Sequence, residues 1–593
     1  MRPSPVFLGW IALLALACSL GSAMPNGVEQ ASPSAPQPQP PQAIAPLPPP
    51  HSFPTEPGGP RLFFTDLVSG PSSGGEADLG VFVTLYGEGF GAERGDSTIT
   101  LGGTEVAGYP VWGENNAPAR GLDVAIVQLG PGNTSGDLVL TVGGVASNGL
   151  PFEVRAGGVF FVSPDGSDEA EGSFDAPWAT VLQARTEVQP GDTVYLMDGI
   201  LQTTEDNASA ALALELSGEP GGPIAFVAYP GAHPVIGSTD LEFGTRIPNN
   251  PDTYASHWVF AGLTLRGLVS ALDLGGTGSS DWRLVGNDIS CPRGDGQTGC
   301  FAAALASHVL FYGNVVHHVA AESEPQPSKQ YHAVYFTTDT VHVDAGWNDI
   351  HDNRTCRAIQ VHSSPLCLPD CGPSDTTGFN QYDLLIHDNW IHGDACDGIV
   401  LATVDPSQGP VQVYNNILIH VGAGPHPPDG EANYSCIYVA GGTNTGQDGA
   451  GVVEVFNNTC YDVGSVDPGW ADTGAFARGP GSPDLWMELR NNLVVTLPGQ
   501  PYFTASTNAT LVRGESNLWF GSGSGPDFLS GNLDAEPLFV DLSALDFHLL
   551  RGSPAIDAGL ATGIAYDFAG VFRPVGSAFD LGAYEFTPPM TSP

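Results

Sequence analysis

Apolar and polar residues alternate in short runs along most of this chain, and glycine, proline, asparagine and aspartate break the runs. "VFVTLYG" (81–87), "STITLGG" (97–103), "DVAIVQLG" (123–130) and "DLVLTVGG" (137–144) have the period of two that a half-buried strand requires. Gly-rich turns separate them, so residues 60–154 predict a small β-sandwich. Beyond residue 155 a second regularity appears. An asparagine recurs behind a short β-run at Asn287, Asn314, Asn348, Asn389, Asn416, Asn458, Asn492 and Asn517, at intervals of 25 to 42 residues. A unit of that size with strands of about five residues makes one turn of a solenoid, its coils stacked at about 4.8 Å. Asparagine suits the bend because it tolerates the left-handed conformation, and its side-chain amide can bond from coil to coil.

Equivalent places in successive coils stack, so the chain can be read in columns. The strands "HAVYFT" (332–337), "RAIQVH" (357–362), "DGIVLA" (397–402) and "SCIYVA" (435–440) align. Alternation sends Val334, Ile359, Ile399 and Ile437 inward, with Phe336, Val361, Leu401 and Val439 as a second inward column. Tyr335, Gln360, Val400 and Tyr438 then face outward, as do Thr337, His362, Ala402 and Ala440. At the strand entrance stand three ionisable residues on three successive coils: His332, Arg357 and Asp397.

Composition agrees with a turn-rich, all-β chain. Its 593 residues include 77 glycines and 52 prolines. Asp and Glu number 64 against 18 Lys and Arg, a net charge of −46 that makes nucleic acid or an anionic membrane a poor partner. Lys329 is the only lysine. With Arg354 and Arg357 it puts three cations within 29 residues, a stretch flanked by histidines.

Residues 1–23 read as an export signal: Arg2, an apolar run from Val6 to Ala17, then small residues. Two endings compete, a lipobox "ALAC" that would lipidate Cys18 and an ordinary cleavage site at "GSA" (21–23). Without Cys18 the cysteines are even in number: Cys291, Cys300, Cys356, Cys367, Cys371, Cys396, Cys436 and Cys460. Such a set in an exported chain predicts disulfides, Cys291–Cys300 and Cys367–Cys371 first among them. Residues 24–59 form a Pro-rich tether and 587–593 a short tail. A surface-tethered or secreted monomer is expected, with any membrane contact made through the N-terminal lipid.

The stretch "SGPSSGG…VFVTLYGEGFG…ITLGG…SNGLPFEV" resembles the immunoglobulin-like IPT/TIG family, with Ala77–Gly80 as an insertion. That resemblance implies a spacer or binding module. The asparagine repeat of residues 155–586 resembles the right-handed parallel β-helix of the pectin-lyase-like class. Residues 159–199 are similar to that group's N-terminal cap, with an amphipathic helix at about Ala179–Val188, and "SPAIDAG…YDFAGVFRP…DLGAYEF" (553–586) to its exit segment.

The class implies binding of polysaccharide and cleavage of uronate-containing glycans by β-elimination. That reaction needs a base for the C5 proton and a cation for the uronate carboxylate, often with Ca2+. The residues that fit are Lys329, His332, Arg357 and His362 for catalysis, and Tyr335, Gln360, Asp397 and Tyr438 for substrate, with Trp347 and Trp390 nearby to stack sugar rings. "ESEPQPSK" (322–329) also has the E-x-E-x4-K spacing of the lyases that include chondroitinase B. Carried over, Glu322 and Glu324 would hold calcium, Lys329 would be the base and Arg357 its assistant. Pro325 and Pro327 depart from that pattern, since they favour a loop where those lyases have a strand. "CDGI" (396–399) resembles Asp-Gly motifs of polygalacturonases and epimerases, whose companion residues are absent. Three more histidines, His317, His351 and His392, each follow a ladder asparagine by three places and read as a structural stack. The rival reading is a non-catalytic adhesin or envelope protein, with the sandwich as stalk and the solenoid as display surface.

Overall fold

The computed structural model describes residues 59–588, apart from 114–120, 249–253, 276–277, 295–297, 324–329, 364–379, 395, 423–432, 442–447 and 465–471. Cys18, the Pro-rich tether, Glu324, Lys329, Cys367 and Cys371 therefore lie outside the described residues.

Residues 159–534 wind into a right-handed parallel β-helix with three sheets. Among the described residues, the first sheet has twelve strands, from Val159–Val162 to Val512–Glu515. The second has twelve, from Leu201–Gln202 to Leu533–Asp534, and the third nine, from Ala210–Ala213 to Asp472–Gly481. Each coil visits the sheets in that order, and Val343, Leu384 and Val411 on successive coils stack in register. The interior is a continuous apolar column that includes Phe260, Leu284, Phe311, Ile359, Ile399 and Ile437.

The eight asparagines sit between the first and second sheets and bond in one chain. Each Nδ2 donates to the Oδ1 of the next asparagine, from Asn287→Asn314 at 3.0 Å through Asn348→Asn389 at 2.9 Å to Asn492→Asn517 at 3.0 Å. The same Oδ1 atoms accept backbone N–H groups, as Asn389 does from Asn348, so the corner's polar groups are satisfied without water. One expectation is corrected: the ladder asparagines are not the left-handed residues. Those precede them, at Gly286, Gly313, Trp347, Asp388, Asn415, Asn457, Asn491 and Ser516. This assignment leaves each ladder amide aimed along the stack.

A helix, Val181–Glu187, covers the first coil with Val181 and Ala184 buried. It is shorter than expected because Asp168 holds the Ala179 and Thr180 N–H groups, each at 2.9 Å, and Thr180 then caps the helix by accepting from Gln183.

Residues 61–154 form two antiparallel sheets of four and five strands, the latter with one parallel edge pair. The sandwich is not held away as a stalk. Phe63, Phe64 and Phe82 share a core with Tyr195, Tyr312 and Trp347 on the outside of the first sheet. Tyr195 Oη also exchanges hydrogen bonds with the Phe82 backbone at 2.7 and 2.8 Å.

The exit segment does not stop at the last coil. It runs back along the asparagine corner, where Asn415 Nδ2 donates to Tyr566 O, Asn457 Nδ2 to Asp580 O and Asn491 Nδ2 to Leu560 O. Those amides belong to the left-handed residues, which point away from the ladder and need acceptors outside it. Arg573, fully buried, locks the segment through Glu585 at 2.7 Å and the Gly582 and Ala583 carbonyls.

Candidate functional site

The third sheet's strands do not alternate cleanly, and the break builds the site. Both Ala333 and Val334 belong to the apolar core, as do Ala358 with Ile359, Cys436 with Ile437, and Ala475 with Phe476. Pairing steps from Gly299↔His332 to Phe301↔Val334 and from Arg357↔Asp397 to Ile359↔Ile399, passing over one residue each time. Two successive inward residues turn the one before them to the outer face. His332, Arg357, Asp397 and Ser435 thus share that face with Tyr335, Gln360, Val400 and Tyr438, and the His332 and Tyr335 rings meet edge-on at 4.7 Å. Gly398 occupies the passed-over place, where a Cβ would stand 2.3 Å from Leu418 Cδ2. Packing therefore explains the Asp-Gly pair in "CDGI".

The entrance column links side chains across successive coils. Arg357 Nε lies 3.7 Å from Asp397 Oδ2 on the next coil. Asp397, 1% exposed, accepts at Oδ1 from the Ser435 hydroxyl at 2.6 Å and the Ser435 N–H at 3.0 Å. Burial pushes its carboxyl up to about 7, against the opposing pull of Arg357 and Ser435. His332, also 1% exposed, has no hydrogen-bond partner at Nδ1 among the described residues. Burial, then the charges of Arg357 and His362, hold its imidazole well below the usual range. Burial and Arg357 lower His362 to about 4, and its Nδ1 lies 3.2 Å from Tyr335 Oη. Gln360 Oε1 is buried without a hydrogen-bond partner among the described residues. A disulfide, Cys356–Cys396, ties the two coils one residue before Arg357 and Asp397.

Near neutral pH this wall combines a guanidinium, two uncharged imidazoles, a phenol and a carboxyl at the midpoint of its titration. Such a set can neutralise an anion and can both accept and donate a proton.

Not every expected residue joins it. Trp347 is 2% exposed and packs with Phe63, Phe64 and Tyr312 beneath the sandwich, so it stacks no sugar on this face. It is the left-handed residue of its corner, which sets its direction. Trp390 lies on the second sheet against Phe547 and Phe568. Of the expected calcium ligands only Glu322 is described; it is exposed, and its N–H donates to Pro292 O. Among the described residues no group of three or more His, Cys, Asp or Glu side chains is placed to hold a metal ion.

His317, His351 and His392 stack as expected, with ring centroids 5.5 and 5.0 Å apart. Cys291–Cys300 is bonded, and Cys436–Cys460 is a further disulfide. Ser435 joins the site although the sequence did not single it out, and its alignment with Asp397 made it legible. Outside this site, on the first sheet, His387 is buried between Asp344 and Asp388, at 2.8 Å from each.

Residues 160–279 match the family described as Pel9A-like, right handed beta helix region. That segment ends before His332, so it covers the first coils and none of the entrance column. A pectate lyase of Emericella nidulans, PEL9, is 33% identical over 81 residues, 14% of this chain and 18% of that protein, so the chain's match spans under a fifth of its curated relative. Among solved structures, pectate lyase Pel9A is similar at 16% identity and TM-score 0.40, over 73% of this chain and 97% of its own. A rhamnogalacturonan lyase is similar at 15% identity and TM-score 0.35, over 65% of this chain and 91% of its own.

Proposed function

We propose that the protein binds a uronate-containing polysaccharide along the outer face of the third sheet and cleaves it by β-elimination. One observation carries the reading: Arg357 stands between buried, uncharged His332 and buried Asp397 on successive coils of that face. In the proposed reaction Arg357 neutralises the uronate carboxylate, which acidifies the C5 proton and stabilises the charge that develops as it leaves. Two acceptors compete for that proton, Lys329 and the imidazole of His332. Tyr335, bonded to His362, supplies a proton to the departing glycosidic oxygen. Tyr438, Gln360 and Asp397 position the sugar. Glu322 and Glu324 would hold calcium, which would add positive charge beside the uronate carboxylate. The match to a pectate-lyase-like β-helix supports the substrate class.

In the same reading the chain is exported as a monomer, its N-terminus lipidated at Cys18, with residues 60–154 an IPT/TIG domain. Three disulfides among the described residues support an oxidising compartment. The test is the ultraviolet absorbance of unsaturated uronate from pectate, alginate and glycosaminoglycans, with calcium and with a chelator, for the native chain and for Arg357→Ala and Lys329→Ala. Product that disappears in Arg357→Ala supports the reading. No product from any of these polymers overturns the catalytic claim and leaves a binding surface.

A further inference from the structure

On the other side of the solenoid, away from the third sheet, lies a cleft of about 420 Å³. Three parts of the chain wall it: Glu88 from the sandwich, Asp349 and Trp390 from the second sheet, and His548, Phe568 and Tyr584 from the returning C-terminal segment. Its walls are aromatic and firmly set. Trp390 packs against Phe568 with ring centroids 6.1 Å apart, and the His548 ring stacks on Tyr584 at 3.9 Å. Two of the polar groups are carboxylate acceptors. Glu88 is braced by Arg61 at 3.1 Å. Asp349 Oδ1 is buried without a hydrogen-bond partner among the described residues, and the His392 Nε2 stands 3.5 Å away.

We infer that this cleft binds a neutral sugar residue of a glycan. A pyranose presents apolar C–H faces and a rim of hydroxyl donors. Aromatic walls beside carboxylate acceptors complement both features. The volume suits a ligand of one or two sugar rings. A uronate does not fit, because Glu88 and Asp349 would face its carboxylate. The returning segment thereby gains a role: by folding back along the corner rather than capping the end, it brings His548, Phe568 and Tyr584 to the second sheet. The site is independent of the third sheet and of the chemistry proposed there.

Isothermal titration of the full chain with neutral gluco-, galacto- and xylo-oligosaccharides, and with oligogalacturonate, tests the inference. At least one neutral oligosaccharide is expected to bind. Asp349→Ala and, separately, Trp390→Phe are each expected to weaken it roughly tenfold, the scale of one lost charged hydrogen bond or ring contact. Arg357→Ala should leave it unchanged, and oligogalacturonate should not compete. Circular dichroism and thermal unfolding establish that the variants are folded. The inference is overturned if no neutral oligosaccharide binds, if both folded cleft variants bind as the native chain does, or if the binding vanishes in Arg357→Ala.

Discussion

Arg357 and Asp397 occupy the same register position on adjacent coils, and the guanidinium Nε stands 3.7 Å from a carboxylate that is 1% exposed. Removing the cation strands a buried acid. Arg357→Ala should move the Asp397 carboxyl further above its native value of about 7 and cost on the order of 3 kcal/mol of stability at pH 8, less at pH 5 where the acid is protonated. Urea unfolding at the two pH values measures both. An equal loss at pH 5 and 8 would contradict the pairing.

The raised carboxyl of Asp397 has a defined signature of its own. The folded chain holds this proton to higher pH than the unfolded chain, so the stability it brings is fully present below 3.8 and lost as pH rises through about 7. Asp66 and Asp567, each raised to about 6 by burial, slope in the same direction. Comparison with Asp397→Asn isolates the one residue: the variant's stability should fall less steeply between about pH 4 and 7, by up to about 4 kcal/mol over the interval. Parallel curves would show that Asp397 titrates normally.

His387 gives the opposite window. Burial alone would discharge it, but Asp344 and Asp388, each at 2.8 Å, hold it protonated up to about 9. Its stabilisation is therefore present in full below about 6.5 and is lost as pH rises through about 9. His387→Gln should cost about 3 kcal/mol at pH 6 and far less at pH 10, as followed by thermal unfolding. The ring fills the space over Gly346, where a Cβ would come within 2.5 Å of His387 Cε1, so Gly346→Ala should give a similar loss.

The ladder predicts a positional effect. Asn348→Ala removes the acceptor of the Asn314 N–H and the donor to both Phe311 O and Asn389 Oδ1. Several buried groups lose partners at once, so the cost should be about 3 kcal/mol or more. At the last rung, Asn517→Ala leaves no further asparagine without its donor and should cost less. Chemical denaturation of the pair decides it.

What the sequence made legible was what repeats. The ladder asparagines, the inward columns from Val334 to Ile437 and the outward column from Tyr335 to Tyr438 follow from period and alignment alone. The doubled inward step at Ala333, Ala358 and Cys436 did not. Strict alternation would have turned His332 and Asp397 into the core, and only the pairing register shows the break. Burial was equally invisible: nothing local in "HAVYFT" tells that His332 loses its water, or in "AGWNDI" that Trp347 lies under the sandwich. His387 and the cleft depend on segments far apart in the chain. No periodicity reports contacts of that kind.

If the Arg357 column eliminates uronate glycosides, it leaves unsaturated product that one assay detects. Polygalacturonate and alginate are incubated with the native chain and with Arg357→Ala, folded as judged by circular dichroism, and unsaturated product is followed by its ultraviolet absorbance. Product is expected from the native chain on at least one polymer, with a loss of roughly a hundredfold or more in the variant. Product formed equally well without Arg357 would contradict it.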